Sequence, residues 1–367
     1  MRWDKGTLKL CMVIVCGLVL AMIASGCIDT GSFTQTPANG NNTGETDLTG
    51  VQTVNITDSL GRTVAVPVPA RRIVALYSGT AETLVAIGAG GNIVGTADPT
   101  FDTRPWLLQY MHQPVKVGSL FTPNIEQIVA LHPDLVIALP NTEQYAEKIE
   151  SAGIPIIYLQ TDNINDIIPA TRMLGNITGQ TKNASLLVSF YQDNFNIVDE
   201  RVAQIPLEER PRVYMEMYSD FAAVPRGSPS DILINRTGGH NVLEISDNDS
   251  NNYPRVSAEW LTNMNPDIVI RAVNTAQNPE VDLVPYYQRF FDTSGLNTIN
   301  AVRNNRVYII TGEMLYGPRS FAGFLAMAKI MHPELFTDVD PRQKLEEYAS
   351  RFIPGANSTG ARMYPEL

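Results

Sequence analysis

The feature that most constrains this 367-residue chain is an internal repeat. Asn124-Ile125-Glu126-Gln127-Ile128 with His132-Pro133-Asp134-Leu135-Val136-Ile137 aligns without a gap on Ser257-Ala258-Glu259-Trp260-Leu261 with Asn265-Pro266-Asp267-Ile268-Val269-Ile270. Each aligned pair lies 133 positions apart. The two copies share one physical logic. Asn124 or Ser257 can cap a short helix, and Glu126 or Glu259 sits in its first turn, where the helix dipole favours an anion. Proline then stops the helix, and an Asp-(Leu/Ile)-Val-Ile run enters a buried strand. Solenoid repeats run to about 20–50 residues, so this period is too long for one. Two related lobes are expected.

Short β-branched runs predict strands at 73–77, 93–97, 135–139, 156–159, 212–217, 267–271 and 307–311. Helical periodicity predicts helices at 80–87, 124–131, 143–152, 229–237, 257–264, 319–331 and 341–352. Strands alternating with helices imply parallel α/β units. Gly88 and Gly153 follow two of these helices, where a left-handed cap favours glycine. One segment stands apart. Ala184, Leu187, Val188, Tyr191, Phe195, Val198, Val202 and Ile205 recur at spacings of three and four, predicting a helix over 181–204. At 1.5 Å per residue it would be about 36 Å long, enough to join two lobes as a spine. The body therefore divides into an N-terminal lobe (51–178), a linking helix (179–205), a C-terminal lobe (206–352) and a tail (353–367).

The N-terminus reads as an address. Arg2, Lys5 and Lys9 precede an uncharged run from Leu10 to Ala24, then Ser25-Gly26-Cys27. Fifteen apolar positions suit a signal peptide and fall short of the ~20 that span a bilayer. Small residues before a cysteine indicate a lipoprotein signal over 1–26, with Cys27 lipidated after cleavage; an uncleaved anchor is the alternative. Residues 27–50, rich in Thr, Gly and Asn, read as a flexible tether. Either way the body is expected outside the cytoplasmic membrane, attached to its outer face. Losing residues 1–26 removes three cations and one anion and moves the net charge from −11 to −13. Seven Asn-x-Ser/Thr sequons fit a displayed protein, although a chain this rich in Asn produces some by chance.

That charge, with no Lys/Arg block, argues against nucleic acid and against a surface that hugs anionic lipid. Cys11, Cys16 and Cys27 are the only cysteines, so the body holds no disulfide framework, CxxC zinc site or thiol nucleophile. His112, His132, His240 and His332 have no metal-binding spacing, and His132 and His332 each precede proline as turn residues would. No intact G-x-S-x-G, P-loop or G-x-G-x-x-G occurs; Gly88-Ala89-Gly90-Gly91-Asn92-Ile93 fails at the third glycine and follows a helix. No catalytic residue, resident cofactor or protein-bound metal is expected.

Further elements carry a family likeness. They are Ile56-Thr57-Asp58-Ser59-Leu60-Gly61-Arg62-Thr63-Val64, then Pro67, and Arg72-Ile73-Val74-Ala75-Leu76. Ala81-Glu82-Thr83-Leu84 with Ile87-Gly88-Ala89, Gly238-Gly239-His240-Asn241 and Gly317-Pro318-Arg319 add to the two Pro-Asp repeats. As a set, over about residues 52–352, they closely resemble the substrate-binding proteins of ABC importers for iron–siderophore complexes, haem and cobalamin. The resemblance implies two Rossmann-like α/β lobes joined by one long spine α-helix, a ligand cleft between them and little hinge closure. It also implies a monomer that delivers its ligand to an ABC importer permease and, through it, the ATPase. That family docks arginines of the permease with one glutamate on each lobe, and Glu126 and Glu259 match those positions. Solvated helix-start acids are the bland alternative.

In open parallel sheets, ligands bind beyond the carboxyl ends of strands. Those positions hold Tyr77, Ser78, Phe101 and Trp106 in the N-terminal lobe, and Tyr218, Arg271, Tyr316 and Arg319 in the C-terminal lobe. Aromatic plates and guanidinium forks suit a bulky, partly aromatic, anionic metal chelate; lobe core is the alternative for the aromatics. Arg319 follows Pro318 at a predicted helix start, where a cation opposes the dipole unless a bound anion or a carboxylate such as Glu313 offsets it. A ferric chelate leads the expectation, a corrinoid such as cobalamin comes second and haem third. A bare metal lacks a three-His or carboxylate–His set. Two other classes are weighed. Turnover of a chelate would mark an extracytoplasmic enzyme, and a closed, empty interface between the lobes an adhesion or sensor module.

Overall fold

The computed structural model describes residues 52–245, 253–275, 278–356 and 360–367. The expected signal segment, Cys27 and the tether lie outside the described residues. Val51–Leu367 forms one compact unit.

The N-terminal lobe opens with an antiparallel hairpin, β1 (Thr53–Thr57) and β2 (Thr63–Pro67). Its turn is tied by Asp58, whose carboxylate accepts the amides of Leu60 and Arg62 and pairs with the Arg62 guanidinium at 2.9 Å. A five-stranded parallel sheet follows. β3 (Ile73–Ala75) is central, flanked by β4 (Ile93–Thr96) and β5 (Val115–Lys116) on one side. β6 (Leu135–Ala138) and β7 (Ile156–Tyr158) lie on the other. Five helices belong to this lobe: α1 (Ser78–Ala86), α2 (Asp98–Thr103), α3 (Ile125–Ala130), α4 (Ala146–Glu150) and α5 (Ile167–Thr178).

The spine is α6 (Thr181–Val202), 22 residues or about 33 Å. It stops two residues short of the expected end because Pro206 disfavours helical backbone just before it. In the C-terminal lobe, β8 (Arg212–Met217), β9 (His240–Asn241), β10 (Ile268–Val273) and β11 (Val307–Thr311) run parallel. Residues 353–367, expected as a tail, instead return an edge strand, β12 (Met363–Tyr364), antiparallel to β11. The helices here are α7 (Pro229–Arg236), α8 (Ala258–Met264), α9 (Val284–Asp292), α10 (Asn300–Arg303), α11 (Gly312–Leu315), α12 (Ser320–Met331) and α13 (Pro341–Phe352). Helices α2, α5, α9, α10 and α11 are absent from the sequence expectation. Of the two longest, α5 carries Pro169 and Gly175 inside it and α9 has Pro285 in its first turn, breakers that mask an otherwise amphipathic pattern.

Strands β8, β9, β10 and β11 occupy the places that β3, β4, β6 and β7 occupy in the first lobe. The repeat acquires a geometric meaning. Asn124 Oδ1 accepts the Gln127 amide at 3.1 Å, and Ser257 Oγ accepts that of Trp260 at 3.0 Å. His132 and Asn265 both adopt φ 45°, which turns the chain into its strand. Asp134 accepts the amides of Arg71 and Arg72, and Asp267 that of Arg212, so each Pro-Asp clamps the entrance of the central strand beside it.

One apolar cluster runs through both lobes along the inner sheet faces, α1, α6 and α12, while a smaller cluster covers each outer face. Phe190, Tyr191 and Phe195 of the spine meet Phe321 and Phe324 of α12 and Tyr348 of α13 at ring-centroid distances of 5.1–6.5 Å. The lobes are thus fastened by a shared core beneath their strand ends.

Candidate interlobe ligand site

The chain leaves β3 through Leu76 and reaches Tyr77, the residue that opens α1. The Tyr77 ring lies against its own Gly79 and extends to Gly317 of the other lobe. A Cβ on Gly317, whose φ is +77°, would sit 3.1 Å from Tyr77 Oη. Only glycine meets both demands without strain. The Gly317 amide donates to the Asp162 carbonyl at 3.0 Å, a second crossing between the lobes.

Beside this crossing stand the C-lobe tyrosines. Tyr218, just past β8, is 40% exposed with φ 57°, and its hydroxyl lies by Gly312. Tyr316 Oη is 3.1 Å from Ser230 Oγ, and the hydroxyls of Tyr218 and Tyr253 lie close enough to act on its ionisation. Burial pushes the hydroxyls of Tyr77, Tyr218 and Tyr316 above the ordinary phenol range, so all three stay neutral at physiological pH. Burial likewise raises the Asp162 carboxyl above its usual value, although the Gln160 amide donates to it.

Beneath the tyrosines two carboxylates and two guanidiniums interlock across the lobes. Glu82 on α1, fully buried, holds Arg319 Nε at 2.9 Å through one oxygen and Arg104 Nε at 2.9 Å through the other. Arg104 also pairs with Glu313 on α11 and donates to Ser78 Oγ. Burial works against the Arg104 charge, but Glu313 and Glu82 outweigh it and hold its pKa above the ordinary guanidinium value. Expectation placed Glu313 beside Arg319; the structure gives Glu313 to Arg104 and Glu82 to Arg319.

The other nominated residues are engaged with protein partners. Arg319 is 3% exposed, its guanidinium 4.6 Å above the half-buried Trp106 ring. On another side Arg319 borders a cavity of about 230 Å³ with Tyr348 and Ser350. Phe101 carries the Lys116 ammonium at 5.1 Å. Arg271 is also 3% exposed. It lies within β10 on the outer sheet face, not at the strand end, paired with Glu216 and with Asp220 at 2.8 Å. Burial and the neighbouring Arg289 push its pKa down to about 10. Glu126 and Glu259 are exposed in the first turns of α3 and α8, and neither forms an ion pair among the described residues.

Glu82, Arg104, Asp162 and Tyr253 escaped nomination. Asp162 lies four residues past β7, within reach of the strand-end rule; Glu82 and Arg104 acquire meaning only through partners on the other lobe. Among the described residues no group of three His, Cys, Asp or Glu could hold a metal ion, and no helix is long and apolar enough to cross a membrane.

Known proteins share this architecture. The TroA-like periplasmic binding protein FepB of Veillonella parvula superposes with a TM-score of 0.69 at 23% identity, covering 86% of this chain and 100% of that one. An uncharacterized ABC transporter substrate-binding lipoprotein of Bacillus subtilis, YvrC, is 24% identical over 330 residues, 88% of this chain and 96% of its own length. A cobalamin-binding protein of Halobacterium salinarum is 28% identical over 211 residues, 55% of this chain and 54% of its own. Residues 73–314, more than half of the chain, match the family model described as periplasmic binding protein. Two lobes on one spine helix, a polar crossing between them and this match together make the chain a member of the periplasmic binding protein family, of the type that serves ABC transporters.

Proposed function

We propose that this protein captures a corrinoid, a planar metal chelate of low net charge, at the interlobe tyrosines and hands it to an ABC importer permease. The observation that carries the choice is the commitment of the two arginines beneath the site. Arg104 and Arg319 are already neutralised by Glu82 and Glu313. What remains beside the crossing is Tyr77, Tyr218 and Tyr316, neutral hydroxyls on aromatic plates, with Asp162 and Glu313 nearby. A strongly anionic ferric chelate, first in the sequence expectation, would find both guanidiniums there already paired with carboxylates, as would an oxyanion. A low-charge macrocycle with amide arms stacks on rings and hydrogen-bonds to phenols without removing a buried ion pair. The Halobacterium cobalamin-binding relative supports the same order.

Tyr77, Tyr218 and Tyr316 are the proposed contacts, with Trp106 at the margin; Arg271 and Arg319 act as supports. Glu126 and Glu259, at equivalent places on the two lobes, are proposed to meet cationic residues of the permease, while lipid on Cys27 tethers the chain. The visible spectrum of protein purified from its own source tests the ligand. Corrinoid bands support the reading, whereas a Soret band or a ferric charge-transfer band would replace it with haem or a siderophore.

A further inference from the structure

The charge cluster in the C-terminal lobe has no counterpart in the other lobe. Strand register equates Glu216 of β8 with Leu76, and Arg271 of β10 with Ala138. Leu76 and Ala138 are fully buried in the outer core of the first lobe. The fold therefore accepts plain apolar residues at these two places. The second lobe instead buries Glu216 completely beneath Arg271 and Arg289. Such ion clusters are often no more stabilising than apolar packing, so their presence points to something other than stability.

What the cluster touches is the turn that carries Tyr218. Residues 218–221 make a tight reversal, with the Met217 amide donating to the Ala222 carbonyl at 2.8 Å. Tyr218 and Phe221 both sit in the left-handed region, at φ 57° and 60°, a costly conformation for aromatic residues. Four contacts run from the cluster to this turn. Glu216 Oε2 accepts the Phe221 amide at 2.8 Å; Asp220 Oδ1 lies 2.8 Å from Arg271 Nη1 and 3.6 Å from Arg289 Nε; and the Arg289 guanidinium rests 5.1 Å from the Phe221 ring centre. Arg255 donates to the Asp220 carbonyl at 2.9 Å from the far side.

We infer that Glu216, Arg271 and Arg289 form a positioning device that acts through Asp220 and the Phe221 amide. It holds the 218–221 turn in its left-handed form and so fixes Tyr218 against the bound chelate. The ligand half of this inference rests on the function proposed above; the turn half does not. Asp220 is 51% exposed, which makes it the least disruptive member to change.

In Asp220→Ala, amide exchange at 218–222 should quicken while exchange in β8 and β10 stays as in wild type. The dissociation constant for cyanocobalamin should rise up to about tenfold, the worth of one well-placed aromatic contact. In a Tyr218→Ala background, Asp220→Ala should weaken binding no further, because the contact it positions is already gone. Asp220→Asn, which keeps the shape but removes the charge that Arg271 and Arg289 hold, should show the same quickened exchange in smaller measure if the alanine variant folds poorly. Unchanged exchange at the turn, or additive losses of affinity in the cycle, would overturn the inference. Wild-type protein that ignores cyanocobalamin would overturn the proposed ligand, and the exchange experiment would still decide the positioning role of the cluster.

Discussion

Glu82→Gln should be among the most destabilising single changes in this chain. The substitution keeps the shape of a fully buried side chain and removes the charge that two guanidiniums share, each through an Nε at 2.9 Å. In the native protein two carboxylates face two arginines; without Glu82, Arg104 keeps Glu313 but one positive charge becomes surplus in the core. Breaking one partner out of a buried pair costs about 3–5 kcal/mol, against about 5–15 kcal/mol for the whole fold. Arg319→Met, with a flexible apolar side chain, should remove the surplus. The pair Glu82→Gln with Arg319→Met should then recover to within about 1–2 kcal/mol of wild type. Urea unfolding reads this directly as a fall in midpoint at constant slope. A loss under about 1 kcal/mol for Glu82→Gln would give the pair the strength of a surface ion pair and refute the argument. Simple additivity in the double variant would refute it equally, since the two side chains are in contact.

Three further outcomes follow from the same geometry. Burial raises the Asp162 carboxyl, so the folded state holds that proton more tightly than the unfolded chain and ionising it costs stability. Stability should therefore fall as pH rises from about 4 through the raised value, and Asp162→Asn should gain on wild type at pH 7 but not below pH 4 in melts across that range. Reversing both docking candidates, Glu126→Arg with Glu259→Arg, should impair uptake in reconstituted vesicles far more than either alanine change, each exposed pair being worth about 0.2–1 kcal/mol; normal transport would leave both as solvated helix-start acids. The native N-terminus should begin at lipidated Cys27 in mass spectra, and an intact Met1 in the membrane fraction would contradict that.

Much of the architecture was legible because its causes are local. Asn124 and Ser257 cap helices, Pro133 and Pro266 end them, and Asp134 and Asp267 clamp strands, all within a few residues of sequence. The spine was readable from its apolar stripe. The proposed site was legible only at its strand ends, where Tyr77, Tyr218 and Tyr316 were nominated and lie beside the crossing between the lobes. Its electrostatics were not, because Glu82 and Arg319 are 237 positions apart and nothing local pairs them. Arg271 illustrates a different limit. Alternation puts residues 269, 271 and 273 on one face of β10, but no pattern says which face looks outward, and the charge is paired with Glu216 and Asp220 on the outer one. The α5 and α9 helices were missed although each has an apolar face, because Pro169 and Gly175 within α5 and Pro285 at the start of α9 read as breakers.

Neutral tyrosines, not arginines, are proposed to receive a corrinoid between the lobes. Titration calorimetry of cyanocobalamin into the wild-type protein and into the triple variant Tyr77→Ala, Tyr218→Ala, Tyr316→Ala tests it most directly. One site per chain is expected in wild type, with heat lost in the triple variant and affinity that hardly changes with salt. Undiminished binding in the triple variant, or a ligand that is anionic and released by salt, would contradict it.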